Sequence, residues 1–308
     1  MSNFASLKKS SQDLSRLAKE IDKINAPASG ERTEDTRFWK PDVDKSGNGM
    51  AIIRFLPAPA VDGDDALPWV RIFNHGFKGP SGKWYIENSL TTLNEKDPVS
   101  EYNSELWNAT SDDNSPQRKQ ARLQKRRLNY ISNILVISDP KNPENEGKVF
   151  LFKFGKKIFD KITQAMNPEF EGDKPLNPFD MWAGANFKLR IRQVEGYRNY
   201  DMSNFDGATA IEGDDSALEA LWKREYSLKE FVDRKNFKTY DVLKKHMEEV
   251  LELKGVTAGR STAKAAPVDF GDDEIPFKSA APQERKPAVS IAVDDDEDLD
   301  YFKSLADD

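Results

Sequence analysis

Apolar and polar residues alternate in several separate stretches, and each stretch predicts a strand. GMAIIRFLP lies between the Gly47–Gly49 turn and Pro57. WVRIFNHGF and KWYIENS flank GPSG and read as a hairpin. NYISNILVI and KVFLFKF are joined by the turn-rich SDPKNPENEG. In the second of these, Val149, Leu151 and Lys153 face one way, and Phe150, Phe152 and Phe154 the other. ANFKLRIRQV alternates throughout, with Phe187, Leu189 and Ile191 opposite Lys188, Arg190 and Arg192.

Helical spacing appears elsewhere. Leu14, Leu17, Ile21 and Ile24 form one apolar stripe near the N-terminus, followed by a linker-like NAPASGERTEDTR. Ile158, Ile162 and Met166 form another in GKKIFDKITQAM. Two helices are expected to close the domain. One includes SLKEFV, where Ser227 and Glu230 fit a capping box; the other carries Tyr240, Leu243, Met247 and Val250 and stops near Gly255. Leu93 to Gln120 is polar and irregular and reads as a long loop. Beyond Ala258 no period is sustained, and the stretch is expected to be disordered. Within it, Leu299, Tyr301, Phe302 and Leu305 interrupt the acids, as in a segment that orders on a partner.

Turn-punctuated strands with added helices fit an α+β, mainly β fold built on a small OB-type barrel. The expected parts are an N-terminal arm (1–35), a folded core (36–255) with a hairpin subdomain near 70–105, and a C-terminal tail (256–308).

Charge sharpens this division. The chain carries a formal −7, yet residues 258–308 hold 13 acids and 6 bases and account for all of it. Residues 118–157 hold 11 bases and 3 acids. The low overall pI thus conceals a basic centre. No apolar run approaches the roughly 20 residues of a membrane span, and the N-terminus lacks a secretory h-region. Without cysteine, disulfides and thiolate metal sites are excluded.

Enzymatic chemistry has little footing. His75 and His246 are the only histidines, no phosphate-binding glycine loop occurs, and no acidic pair stands out as a nuclease centre. Cations interleaved with rings are the positive signal. Lys125, Arg126 and Arg127 precede Tyr130; Phe152 and Lys153 adjoin Lys156 and Lys157; Tyr197 and Tyr200 bracket Arg198; Trp107 sits in a polar stretch. Unpaired nucleic acid exposes both phosphates, which attract cations, and base faces, which stack on aromatic rings. An RNA-binding OB protein would show the same pattern, since only contacts to the 2′-OH separate the two sugars. A scaffold using its basic patch and acidic tail for protein contacts is the reading from another class.

Together, GNGMAIIRFLP, NHGFKGPSGKWYIE, SNILVISDPKNPENEGKVF, KFGKKIFDKI, WAGANFKLRIRQV and GYRNYD resemble the single-stranded-DNA-binding proteins of T-even-type bacteriophages, in the same order and over most of residues 40–205. The resemblance implies a non-enzymatic, cooperative, sequence-tolerant DNA-binding protein of phage replication, recombination and repair, working in the cytoplasm of an infected bacterium. It makes LKKSS (Lys8, Lys9, Ser10, Ser11) the arm for self-association in filaments on DNA. The tail, with Asp294, Asp295, Asp296, Glu297, Asp298 and Asp300, becomes the recruiter of phage replication and recombination proteins and a competitor for the basic surface. Trp107, Tyr130, Phe152, Tyr197 and Tyr200 fall at its DNA-facing aromatic positions, with Ala121 and a site near Asn94 replacing two more rings. Arg54, Lys153, Lys156 and Lys157 fall at basic ones.

One departure concerns zinc. The resemblance implies a structural site of one His and three Cys. His75 remains, but Ser89, Asp97 and Ser100 occupy the cysteine positions. One His and one Asp do not make a tetrahedral structural site, so no metal is expected. Packing through Phe77, Trp84 and Tyr85 is expected to hold the subdomain instead.

Overall fold

A computed structural model describes residues 35–170, 172–194 and 197–253. The N-terminal stripe, the LKKSS arm and the acidic tail lie outside them. The architecture is a mainly antiparallel eight-stranded sheet with a few short helices.

The sheet is organised by β4 (Arg127–Ser138). On one edge β4 pairs with β5 (Val149–Phe154), from Tyr130↔Phe154 to Leu135↔Val149. Its other edge is shared. The first half pairs with β2 (Val70–Lys78) and the second with β1 (Gly49–Phe55). From β2 the sheet continues into β3 (Trp84–Asn88), completing the expected hairpin. From β1 it continues into β6 (Ala185–Val194), which also pairs with β7 (Tyr197–Asn199) and β8 (Asn204–Ala208).

Because side chains alternate along a strand, β4 feeds two cores. Leu128, Tyr130, Ile134 and Val136 join Phe55, Phe73, Phe152, Phe154 and Phe187 in the largest apolar cluster. Ile131, on the other face, packs with Ile72, Leu151 and Leu228. The alternation in β6 is as the sequence predicts: Phe187, Leu189 and Ile191 are buried, while Arg190 and Arg192 are exposed.

The stretch expected to be a loop, Leu93 to Gln120, contains two helices. α1 (Pro98–Asn108) is capped by Asp97 and α2 (Pro116–Leu123) by Ser115, each with proline at its first position. Cap and proline together specify a helix start even where no strong apolar stripe follows. α3 (Lys156–Met166) is as expected. α4 (Asp215–Trp222) and β8 were not foreseen. The SLKEFV helix is reduced to a 3-10 turn, Lys229–Val232. Asp62 reaches across to accept from the Leu228 and Lys229 amides and the Ser227 hydroxyl, which fixes the turn.

α5 (Tyr240–Val250) docks on the hairpin through Leu243, Met247 and Val250, against Phe77, Tyr85 and Leu90. Gly79 makes this approach possible, since a Cβ there would lie 1.9 Å from the Val250 carbonyl oxygen. None of the described helices is long and apolar enough to cross a membrane.

Just beyond α4, Glu225 is buried and neither carboxyl oxygen has a hydrogen-bond partner. Burial pushes its pKa up to about 9. A raised carboxyl pKa means that stability is full below the unfolded value near 4.5 and declines as pH climbs toward 9. Glu225→Gln should therefore stabilise the protein at alkaline pH, by on the order of 2 kcal/mol at pH 7 to 8 and by little at pH 4. Denaturant melts of both proteins across that range check this; a constant difference would contradict it.

Candidate nucleic-acid interface

The sheet carries a run of rings that ends at a cationic rim. Tyr130 lies between Phe154 of β5 and Phe159 of α3. Its centroid is 3.9 Å from that of Phe159, with the planes 3° apart. Trp69, just before β2, meets Phe159 edge-on at 5.5 Å and Phe179 at 5.3 Å.

Arg71 is the direct cross-strand partner of Tyr130, so both side chains leave the same face of the sheet. Arg126 precedes β4 and lies over the Phe73 ring at 4.1 Å; Arg71 lies 5.1 Å from the same ring. Arg71, Phe73, Arg126, Tyr130 and Phe159 therefore form one strip of cations and rings. Lys156 and Lys157 open the helix that carries Phe159, with Lys156 paired to Asp160 at 2.9 Å.

The residues singled out from sequence fare unequally. Arg126 falls in the strip, and so does Tyr130, although it is itself a buried member of the main apolar cluster. Lys125 is exposed beside it. The strand alternation sends Arg127 and Lys153 to the opposite face: Arg127 pairs with Asn74 and Lys153 with Ile131. Phe152 is a core residue, 3% exposed and edge-on to Trp39, because it shares the face of Phe154. Tyr200 is also in the core, 5% exposed within the same cluster. Tyr197 on β7 is 40% exposed and stands apart on the hairpin with β6.

Trp107 is not in a loop. It lies on α1, half-buried beneath Arg118 and Arg122 of α2, at 4.3 and 5.4 Å from their guanidinium carbons. Both arginines also reach Asp113, so the front of the basic run braces the α1–α2 pair.

Arg54 is the largest correction among the cations. It is fully buried, and its Nη2 donates to the carbonyls of Asp180 (2.7 Å) and Thr209 (2.9 Å). A Cβ on Gly184 would sit 2.9 Å from that nitrogen, so the glycine is what lets the chain pass. Arg54 ties β1 to the loops before β6 and after β8 and presents no charge to a phosphate.

Sequence reasoning missed Arg71, Trp69 and Phe159. The signals were present. Arg71 and Trp69 begin a predicted strand, and Phe159 adjoins the Ile158–Ile162 stripe. The missing information was the register that sets Arg71 opposite Tyr130.

The positions compared with zinc ligands form a different kind of site. His75 and Asp97 are both buried, with Nε2 3.2 Å from Asp97 Oδ1. His75 Nδ1 lies 2.9 Å from the Gln124 carbonyl, which can only accept. Asp97 Oδ1 also accepts from the Val99 and Ser100 amides, and Oδ2 from the Leu90 amide. Burial alone would raise the Asp97 carboxyl. The close approach of His75, with the Ser100 and Leu90 amides, outweighs it and brings the pKa down to about 2.

Ser89 caps the following 3-10 turn. These donors are committed to one another, and among the described residues no group of three or more His, Cys, Asp or Glu side chains could hold a metal ion. The residues do not fit a structural zinc. Phe77 and Tyr85, stacked at 5.0 Å, belong to the surrounding cluster; Trp84 stays at its edge, near Lys78.

The chain matches the family model described as "gp32 DNA binding protein like" over residues 47–251. It is 38% identical over 264 residues to the single-stranded DNA-binding protein of Enterobacteria phage T2, covering 83% of this chain and 84% of that one. It is likewise 38% identical over 266 residues to that of Enterobacteria phage T4, covering 84% of each. A shorter match, 38% over 118 residues, is to the single-stranded DNA-binding protein of Enterobacteria phage RB70. The chain belongs to the gp32-like family of DNA-binding proteins.

Replacing Asp97 by alanine should leave the buried Leu90 amide without its acceptor and uncap α1. The expected cost is about 2–4 kcal/mol. The depressed carboxyl also fixes a pH window. Its contribution is complete above the unfolded value near 4 and is lost as pH falls toward 2. Melting the wild type and Asp97→Ala between pH 5 and 2 should show the two converging at the acid end; a constant gap would refute the assignment.

Proposed function

We propose that this protein binds single-stranded DNA with little sequence preference, as a binding protein and not an enzyme. The observation that carries this is family membership: the matched span, 47–251, contains the whole strip from Trp69 to Phe159, and relatives aligned over most of the chain are named single-stranded DNA-binding proteins. Arg71 and Arg126 would meet phosphates while rings at the rim stack on bases. Lys156 and Lys157 would add charge where the α3 amides also favour an anion.

The finer parts of the reading follow. The ladders around β4, shared by β1, β2 and β5, support an OB-type arrangement. Replication, recombination and repair in an infected bacterium are the setting that such a phage protein suits. Lys8, Lys9, Ser10 and Ser11 would support filament formation. The acids from Asp294 to Asp300 would recruit phage proteins and compete for the basic strip; a tail segment of net −7 and a centre of net +8 attract one another. The protein works without a structural metal, because the His75–Asp97 pair and the α5 contacts hold the hairpin subdomain.

Binding to a short oligo(dT), followed by tryptophan fluorescence against log salt, tests the reading. Affinity should fall steeply with salt, and Arg71→Ala or Arg126→Ala should each lower the slope by roughly 0.7. Arg54→Met should lower the melting temperature and leave the slope of the folded protein unchanged. A chelator should change neither quantity. A flat salt dependence in the wild type would overturn the reading.

A further inference from the structure

Tyr130 is only 7% exposed, and Phe159 lies flat upon it. Their rings are parallel to within 3° at 3.9 Å. That is the arrangement in which an aromatic side chain receives a nucleobase. The adjoining pairs differ: Trp69 meets Phe159 at 69°, and Tyr130 and Phe154 are 5.8 Å apart. Phe159 is half-buried, beside rather than on the buried stripe of Ile158 and Ile162. It thus covers a ring at the cationic rim of the strip, packed against the main apolar cluster with part of its surface still exposed. Its neighbour across one helical turn is Lys156.

Resting on the single-stranded DNA reading above, we propose that Phe159 decides the access of a base to Tyr130. In the DNA-free protein Phe159 occupies the stacking face, and an unpaired base takes its place on binding. The exchange swaps one ring stack for another, and the stack with a base is the stronger of the two. It also favours single strands, since a base inside a duplex has both faces already covered. Because Lys156 and Phe159 share a turn of α3, a phosphate drawn to Lys156 and a base drawn to Tyr130 act on the same helix end.

Phe159→Leu keeps apolar bulk on α3 and removes the ring. It should tighten binding to oligo(dT) by about 2- to 10-fold, the worth of one ring pair, with the salt slope unchanged. Tyr130→Leu should weaken binding, and adding Phe159→Leu to it should give no gain. Phe159→Met serves as the second variant should the leucine protein fold poorly. Unchanged or weaker binding by a variant that melts like the wild type would overturn the proposal, as would an equal gain in the Tyr130→Leu background. If the wild type itself shows no salt-dependent binding, the DNA reading fails, and the exchange fails with it.

Discussion

The two-residue alternation of β4 is the constraint on which the rest of this protein depends. β4 pairs with β5 along one edge and with β2 and β1 in succession along the other. Three partners in fixed register leave it no freedom to slip, because a shift of one residue would exchange its two faces. Tyr130 is thereby committed to the face of Phe73 and Phe154, and Ile131 to the face of Ile72 and Leu151. The same register sets Arg71 beside Tyr130 and turns Lys153 away.

From this follows a division of labour among the cations. In sequence they look alike, and in space they do three jobs. Arg118 and Arg122 cover Trp107 and hold Asp113, bracing α1 against α2. Arg54 is buried and joins distant loops through their carbonyls. Arg71 and Arg126 flank Phe73 at the rim of the ring cluster, where charge and aromatic surface coincide. The basic run therefore spends Arg118 and Arg122 on structure, turns Arg127 to the opposite face and delivers Arg126 to the candidate interface. The β2–β3 hairpin beside it packs on α5 and sits next to a buried His75–Asp97 contact.

Much of this was legible in the sequence, and the exceptions share a cause. ANFKLRIRQV declared itself because one face is buried and the other is not, and KVFLFKF because both of its faces are apolar and enter separate clusters. Alternation grouped Phe152 with Phe150 and Phe154, which weakened its case as a stacking residue, yet the resemblance placed it among the DNA-facing rings, and it is core. The helices α1 and α2 were hidden by their polarity, although Asp97–Pro98 and Ser115–Pro116 mark their starts. Arg54 and Tyr200 were misjudged for a different reason. What buries Arg54 lies 126 and 155 residues away along the chain, and Tyr200 sits in a polar stretch that folds back on the main cluster. Local composition carries no trace of such partners. The resemblance identified the family, but it transferred roles position by position without knowing which face each position would take.

The central claim is that the nucleic acid meets the face of β4 that carries Tyr130, together with Arg71, Arg126 and the start of α3. Photo-crosslinking of a short oligo(dT) bearing 5-iodouracil, followed by peptide mapping, tests it most directly. Adducts are expected within residues 69–73, 126–130 and 156–160. Adducts confined to the outer face of β6, around Lys188 to Arg192, or to the α1–α2 pair would contradict it.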